Sequence, residues 1–295
     1  MNINKGHMGS TIVFKSSNDK KLFMKDFNAE SEFLKIFNNW NFKGNYDTEI
    51  INFQDLITAE LISKKIVFEN DFKNLDYNLE DLHLCLNDNI KALDSSEQNQ
   101  ISISFYETSK KIQKMYVEFI KKIISPIFQD KIHYQLIPTF RFHFPNQEGY
   151  IWRDRYHTDI MLGHPPYEFN VWLPFTRVFD SNSMRLTSLN DSEEVYKMCN
   201  NDFEILAEKC QYDEAFISHL SSKSSSLDMK NGEFIIFDPK CLHCTQHNIT
   251  NKTRISMDIR IMLAKNFSRY SREYKTTGRK KMPFMPGYYF SKEAL

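Results

Sequence analysis

In the stretch Arg155-Tyr156-His157-Thr158-Asp159-Ile160-Met161 an imidazole and a carboxylate stand two residues apart. Read as a strand, the stretch puts His157 and Asp159 on one face, because strand side chains alternate. Two such groups side by side are either adjacent ligands for a metal ion or a surface ion pair of the kind that contributes little. Spacing alone does not choose between them. With 9 histidines and 38 acidic residues in 295, one His-x-acid pair is expected by chance. A second pattern with chemical meaning is Cys241-x-x-Cys244, half of a zinc site or a redox pair. No second CxxC and no thioredoxin-like βαβ pattern accompanies it, so the two thiols read as small side chains flanking His243.

The elements that must position these groups follow from the period of the apolar residues. From about 50 to 130 the period is helical. It is clearest over 104–125, where Phe105, Ile112, Met115, Tyr116, Phe119, Ile120, Ile123 and Ile124 recur at three- and four-residue steps, with lysines between them. Pro126 ends that helix, since it has no amide for the next turn. Beyond it the period is two. Phe140, Phe142 and Phe144 alternate with Thr139, Arg141 and His143. Phe169, Val171, Leu173 and Phe175 alternate with Asn170 and Trp172. A short strand near 183–188 precedes a polar, weakly helical insert near 191–222. Strand character returns at 233–237 after the Asn231-Gly232 turn, and again at 254–262, where Ile255, Met257, Ile259 and Ile261 alternate with Arg254, Ser256, Asp258 and Arg260.

Helices first and then many short strands predict a mainly-β domain with α: antiparallel sheets forming a sandwich or barrel, with helices on one side. The polar strand faces are rich in Arg, His, Asn and Asp but poor in Lys, unlike a face turned to water. They predict a jelly roll whose interior is a polar cavity.

Composition narrows the function. Lys and Arg total 38 against 38 acidic residues, so no net charge draws the chain to nucleic acid or an anionic membrane. No apolar run reaches 18 residues and the N-terminus has no signal-peptide core, so neither a membrane span nor secretion is expected. Five cysteines without a secretory signal read as reduced thiols in a cytoplasm. The 25 Phe and 14 Tyr against 8 Gly suit a packed globular protein. Residues 1–10, with a Gly-His-Met-Gly-Ser stretch like a cloning scar, are set aside.

Gly232-Glu233-Phe234-Ile235-Ile236-Phe237-Asp238-Pro239 leads into Cys241-Leu242-His243, and Arg254 stands eleven residues beyond His243. The order His157-x-Asp159, His243, Arg254-x-Ser256 resembles the iron(II)/2-oxoglutarate-dependent oxygenases. Within that superfamily the chain is similar to the phytanoyl-CoA-hydroxylase-like branch, and in particular to oxygenases of streptomycin-type and sporadic carbohydrate clusters. The residues that carry this are Ile137-Pro138-Thr139-Phe140-Arg141-Phe142-His143, Asn170-Val171-Trp172-Leu173-Pro174-Phe175-Thr176 and Thr253-Arg254-Ile255-Ser256-Met257-Asp258-Ile259-Arg260. The resemblance covers roughly 135–265.

It implies a double-stranded β-helix core flanked by N-terminal helices. As a division of 11–295 into one oxygenase domain, 11–130 is helical support, 131–265 the jelly-roll core, and 266–295 a C-terminal tail or lid. The resemblance further implies Fe(II) on His157, Asp159 and His243, with 2-oxoglutarate and O2 as co-substrates. Such a donor set leaves open positions for co-substrate and oxygen. The far carboxylate of 2-oxoglutarate would bind Arg254, with Ser256 as a hydroxyl donor and Asn170 as a further contact. Asp159 argues against halogenation, which needs a small residue there.

His247 is the alternative third ligand, disfavoured by the eleven-residue step from His243 to Arg254. Arg141, His143, Trp172 and Arg260 are candidates for substrate binding. For the two arginines the competing reading is a buried ion pair with Asp258 or another acid. His164, in Gly163-His164-Pro165-Pro166 just after the ligand stretch, could line the pocket mouth or be a plain loop histidine, and the second reading is preferred. The basic run Lys265 to Lys281 reads as a solvated surface or as a lid over a phosphate-bearing substrate, in which case neutralising Lys280 and Lys281 raises that substrate's KM.

The expected function is oxidation, by hydroxylation first of all, of a small polar metabolite such as a sugar or nucleotide-sugar. Oxidation of an amino acid or peptide natural product, and a non-oxygenase cupin-like metal protein, are the alternatives. Arg254-x-Ser256 speaks against the second, since a cupin needs no 2-oxoglutarate clamp. Oligomeric state is left open.

Overall fold

The computed structural model describes residues 12–14, 16–93, 98–147, 155–267, 276–277 and 284–295. Its strands are β1 (Val13–Phe14), β2 (Asn41–Asn45), β3 (Ile132–Tyr134), β4 (Thr139–His143), β5 (Glu168–Pro174), β6 (Met184–Thr187), β7 (Ser224–Ser226), β8 (Glu233–Phe237), β9 (His243–Thr245), β10 (Arg254–Leu263) and β11 (Thr276–Thr277). The larger sheet runs β2-β8-β5-β10-β3, with β4 also on β10; the smaller runs β7-β6-β9. All these pairings are antiparallel. An isolated bridge between His157 and His243 extends the smaller sheet. This is the expected jelly roll with helices ahead of it.

The strict alternation in β4, β5 and β10 decides how the layers stack. Phe140, Phe142, Phe169, Val171, Leu173, Ile255, Met257, Ile259 and Ile261 join one buried apolar cluster with Phe53, Ile57, Leu61, Ile112, Tyr116 and Phe119 of the helices. The Phe119 ring meets that of Phe234 edge-on at 6.0 Å. The opposite face of the same strands turns to the smaller sheet, where Trp172, Ile235 and Phe237 pack with Met184 and Leu186. The polar row is therefore interior.

Several local expectations are corrected. The helix over 104–125 is two pieces: Gln100–Ser104, then Lys110–Phe119 followed by a wider π turn over Ile120–Ile124. The break is tertiary in origin. The buried Glu60 carboxylate accepts the Ser109 backbone N–H at 3.1 and 3.2 Å, and Ser109 then caps the second helix. The strand read over 155–161 is only the bridge at His157. Asp159 has helical backbone angles (φ −64°, ψ −28°) and opens a 3-10 turn that Gly163 closes at φ +100°. The insert is three full helices, Leu189–Met198, Phe203–Tyr212 and Glu214–Lys223.

Residues 284–295 are docked rather than loose. Ser291 N–H reaches the Tyr134 carbonyl at 2.7 Å, and Ile132 and Leu295 exchange backbone bonds of 3.1 and 2.9 Å. The basic residues Arg269, Arg272, Lys275, Arg279, Lys280 and Lys281, with the lid reading built on them, lie outside the described residues. All five cysteines are free thiols, and Cys241 and Cys244 are both buried. No helix among the described residues is long and apolar enough to cross a membrane.

β2 was not foreseen as a strand, and one glycine lets it dock. Gly44 lies opposite Phe234 in the β2–β8 register, and a Cβ there would overlap three atoms of the Phe234 ring. That ring is fully enclosed and packed against Phe42 and Phe119. Gly44→Ala is therefore expected to destabilise the protein by about 1–3 kcal/mol through overpacking, measured by chemical denaturation. An unchanged denaturation midpoint would contradict this packing.

Candidate active site

Between the two sheets lies a cavity of about 290 Å³. Of the ten residues singled out for the site, His157, Asp159, His243, Arg254, Asn170, Arg141, Trp172 and Arg260 line it. His143 and Ser256 are on the same strand face but are not among the lining residues. His143 is 4% exposed and stands opposite Arg254 in the β4–β10 register. Burial and the Arg254 charge hold its pKa well below the usual histidine value. His247, the alternative ligand, does not line the cavity; His243 does.

Two of the cavity histidines, His157 and His243, are set by backbone. His157 and His243 exchange N–H to carbonyl bonds of 3.0 and 2.9 Å, which brings their ring centroids to 4.5 Å. Each Nδ1 then meets the carbonyl two residues earlier: Arg155 at 3.1 Å for His157, and Cys241 at 3.1 Å for His243. A carbonyl only accepts, so each Nδ1 carries the proton and each Nε2 keeps its lone pair. Burial lowers both pKa values, that of His157 to about 3. Both imidazoles are thus neutral near pH 7, the form in which a metal is bound.

Asp159 reaches the cavity from a turn rather than a strand. Burial alone would raise its pKa; the Arg260 charge, with His164, His243 and His157, outweighs that and holds it below the carboxylate range. Its Oδ2 accepts from Arg260 Nε at 2.8 Å. As the side chains stand, no three His, Cys, Asp or Glu groups among the described residues close on one point. The donor chemistry nonetheless fits a divalent metal: two lone-pair nitrogens and one anionic carboxylate line the same cavity.

A second group of polar atoms stands ready for a ligand. Asn170 is 2% exposed, and neither its amide oxygen nor its nitrogen has a hydrogen-bond partner. The Ser256 hydroxyl, fully buried on β10, has none either. Orphaned buried polar atoms are costly; Asn170 stands opposite Arg260 in the β5–β10 register and lines the cavity, and Ser256 lies two residues from Arg254 on β10. Arg254 is 3% exposed, and one terminal nitrogen donates to the Asn182 carbonyl at 3.4 Å.

The remaining arginines are in ion pairs. Arg141 Nε lies 2.8 Å from Asp258 Oδ2, at the more open side of the cavity. Asp258 stays ionised: burial alone would raise its pKa, and Arg141 and Arg260 pull it lower. Arg260 pairs with Asp159, an acid other than the one first suggested.

Of the two readings of His164, the structure favours the pocket over the plain loop. His164 is 7% exposed, lines the cavity, lies 2.8 Å from Glu168 and meets the Phe284 ring, tilted by 40°, at 4.2 Å between centroids. Phe237, Asp258 and Thr245 also line the cavity. Alternation from Ile235, from Arg254 and from His243 respectively would have found them. Phe284 and Tyr289 line it too, and nothing local in the sequence points to either.

No family model matches the chain. It is similar to the streptomycin biosynthesis protein StrG of Streptomyces griseus, 25% identical over 213 residues, which are 72% of this chain and 85% of the relative. Among solved structures it is similar to SnoK, a non-haem alpha-ketoglutarate-dependent carbocyclase from nogalamycin biosynthesis. That likeness has 10% identity and TM-score 0.48, over 86% of this chain and 88% of SnoK. EctD from S. alaskensis is similar in its iron-bound form at 13% identity and TM-score 0.47, over 81% of this chain and 78% of EctD. The same enzyme has been solved with 2-oxoglutarate and 5-hydroxyectoine, at 11% identity and TM-score 0.47, over 81% and 77% of the two chains.

Proposed function

We propose that this chain is an Fe(II)- and 2-oxoglutarate-dependent oxygenase that oxidises a small polar metabolite, by hydroxylation in the simplest case. The proposed metabolite is a sugar or nucleotide-sugar. The observation that carries the reading is the tautomer of His157 and His243, two neighbouring imidazoles whose Nδ1 atoms are tied to backbone carbonyls, so that each Nε2 is the atom bearing the lone pair a metal needs. With Asp159 they would hold the iron. Bound there, iron, 2-oxoglutarate and O2 would supply oxidative decarboxylation to succinate and CO2, one oxygen atom of O2 going to succinate and the other to the substrate C–H bond.

The protein's own contribution is to bind and orient. Arg254 would meet the far carboxylate of 2-oxoglutarate through charge-assisted bonds contributing roughly 1.5–3 kcal/mol. The Asn170 amide and the Ser256 hydroxyl, both unpartnered, would donate to oxygens of the same co-substrate. Trp172, Phe237 and Phe284 give the cavity apolar walls that keep water away. At the open side, Arg141 and Asp258 offer a donor and an acceptor side by side, which suits a substrate bearing hydroxyls. The similarity to a streptomycin biosynthesis protein supports a biosynthetic metabolite as substrate.

The test is anaerobic titration of the metal-free protein with Fe(II) and 2-oxoglutarate. A visible metal-to-ligand absorption band is expected, and succinate on admitting air. Neither band nor succinate would remove the oxygenase reading. Candidate nucleotide-sugars are then screened for a mass gain of one oxygen; a gain seen only with amino acids or peptides would overturn the sugar assignment.

A further inference from the structure

Behind the metal-facing side of Asp159 lies a row of buried ionisable groups to which the proposed chemistry gives no role. Arg260 places two nitrogens on one oxygen of Asp159: Nε at 2.8 Å and a terminal nitrogen at 2.7 Å, both on Oδ2. The two side chains are 12% and 5% exposed. Arg260 Nε also lies 3.9 Å from Oε1 of Glu168, whose side chain is fully buried. That same oxygen is 2.8 Å from Nδ1 of His164. The row Asp159, Arg260, Glu168, His164 thus joins the ligand turn to β10, to the first residue of β5, and back to the loop after Gly163.

We propose that Arg260 is a positioning residue for Asp159: by holding Oδ2 with two donors it leaves Oδ1 as the oxygen that meets the metal. Glu168, its nearer oxygen 3.9 Å from Arg260 Nε, places a buried carboxyl group beside the guanidinium. This rests on the reading of His157, Asp159 and His243 as metal ligands. A carboxylate on a short turn could otherwise offer either oxygen. Two donors on one oxygen remove that choice, and only the planar fork of arginine places two nitrogens there at once; an ammonium is a single point charge.

Stability alone is a poor explanation for the row. Each buried ion carries a desolvation cost of several kcal/mol, and apolar replacements of whole buried ion pairs are often neutral or stabilising. Outer hydrogen-bond partners of metal ligands, by contrast, commonly change metal affinity by 10–100-fold.

The experiment is Co(II) binding to the metal-free wild type, Arg260→Lys and Glu168→Gln, followed by visible absorption, with thermal melting of each metal-free protein. Arg260→Lys is expected to weaken Co(II) binding about 10–100-fold and to alter the band shape. Glu168→Gln, which keeps the guanidinium, is expected to weaken it less and in the same direction. If Arg260 were only structural, melting would fall while the folded variants bound Co(II) as tightly as wild type; that result overturns the proposal. Should Arg260→Lys not fold, wild-type affinity in Glu168→Gln overturns it equally. Failure of the wild type itself to bind Co(II) is a separate outcome, and it overturns the metal-site reading together with the proposal.

Discussion

His157→Ala is expected to abolish metal-dependent succinate formation while the protein stays folded. The backbone of His157 is bonded in both directions to that of His243, and alanine keeps those bonds. What is lost is one of three proposed ligands. Removing even an outer partner of a ligand costs about 10–100-fold in metal affinity. Deleting the ligand itself should therefore lower Fe(II) affinity by at least about 100-fold, with succinate falling to background. The side chain meets the Arg155 carbonyl and the His243 ring and sits at the cavity, so the stability loss should stay at about 1–3 kcal/mol, a few degrees in melting temperature. Succinate formation at the wild-type rate in this variant would remove His157 from the site.

Arg254→Met should separate co-substrate binding from metal binding. Methionine fills part of the same volume and removes the charge. Loss of a charge-assisted contact of roughly 1.5–3 kcal/mol corresponds to a rise of about 10- to 150-fold in the KM for 2-oxoglutarate. Fe(II) affinity should be unchanged, and kcat at saturating 2-oxoglutarate should fall much less than kcat/KM. Arg254→Lys should lie between, because it keeps the charge but not the paired donors. An unaltered KM with reduced kcat would instead give Arg254 a role other than co-substrate binding.

How far the sequence reveals the site depends on whether a residue's environment repeats locally. In β4, β5 and β10 each side chain faces either the helical layer or the second sheet, so the period of two carries the answer, and Arg141, Asn170, Arg254 and Arg260 could be read as inward. Asp159 was placed in the site by a wrong route: it reaches the cavity from a turn, not from strand alternation. Neither the place of His164, for which the loop reading is preferred, nor that of Tyr289 is decided locally, because both depend on distant partners. The His164 ring lies 5.4 Å from that of Tyr289, 125 residues further along, and Tyr289 is held through its carbonyl by Leu136 N–H at 2.9 Å. The helix break at Ser109 was hidden for the same reason, since its cause is the Glu60 carboxylate.

β10 has a consequence for how the molecule is made. It is bonded on one side to β5 and on the other to β3 and β4, so three strands made earlier share a neighbour that is synthesised after all of them. Until residues 254–263 arrive, those strands present unpaired edges and an uncovered phenylalanine-rich face, the features that favour aggregation of nascent chains. The pairing of β2 with β8, about 190 residues apart in the chain, adds long-range closures that slow folding. The same late strand delivers Arg254 and Arg260. No partly made sheet therefore carries a working site: in a denaturant titration, co-substrate affinity and β-sheet signal should disappear in one transition.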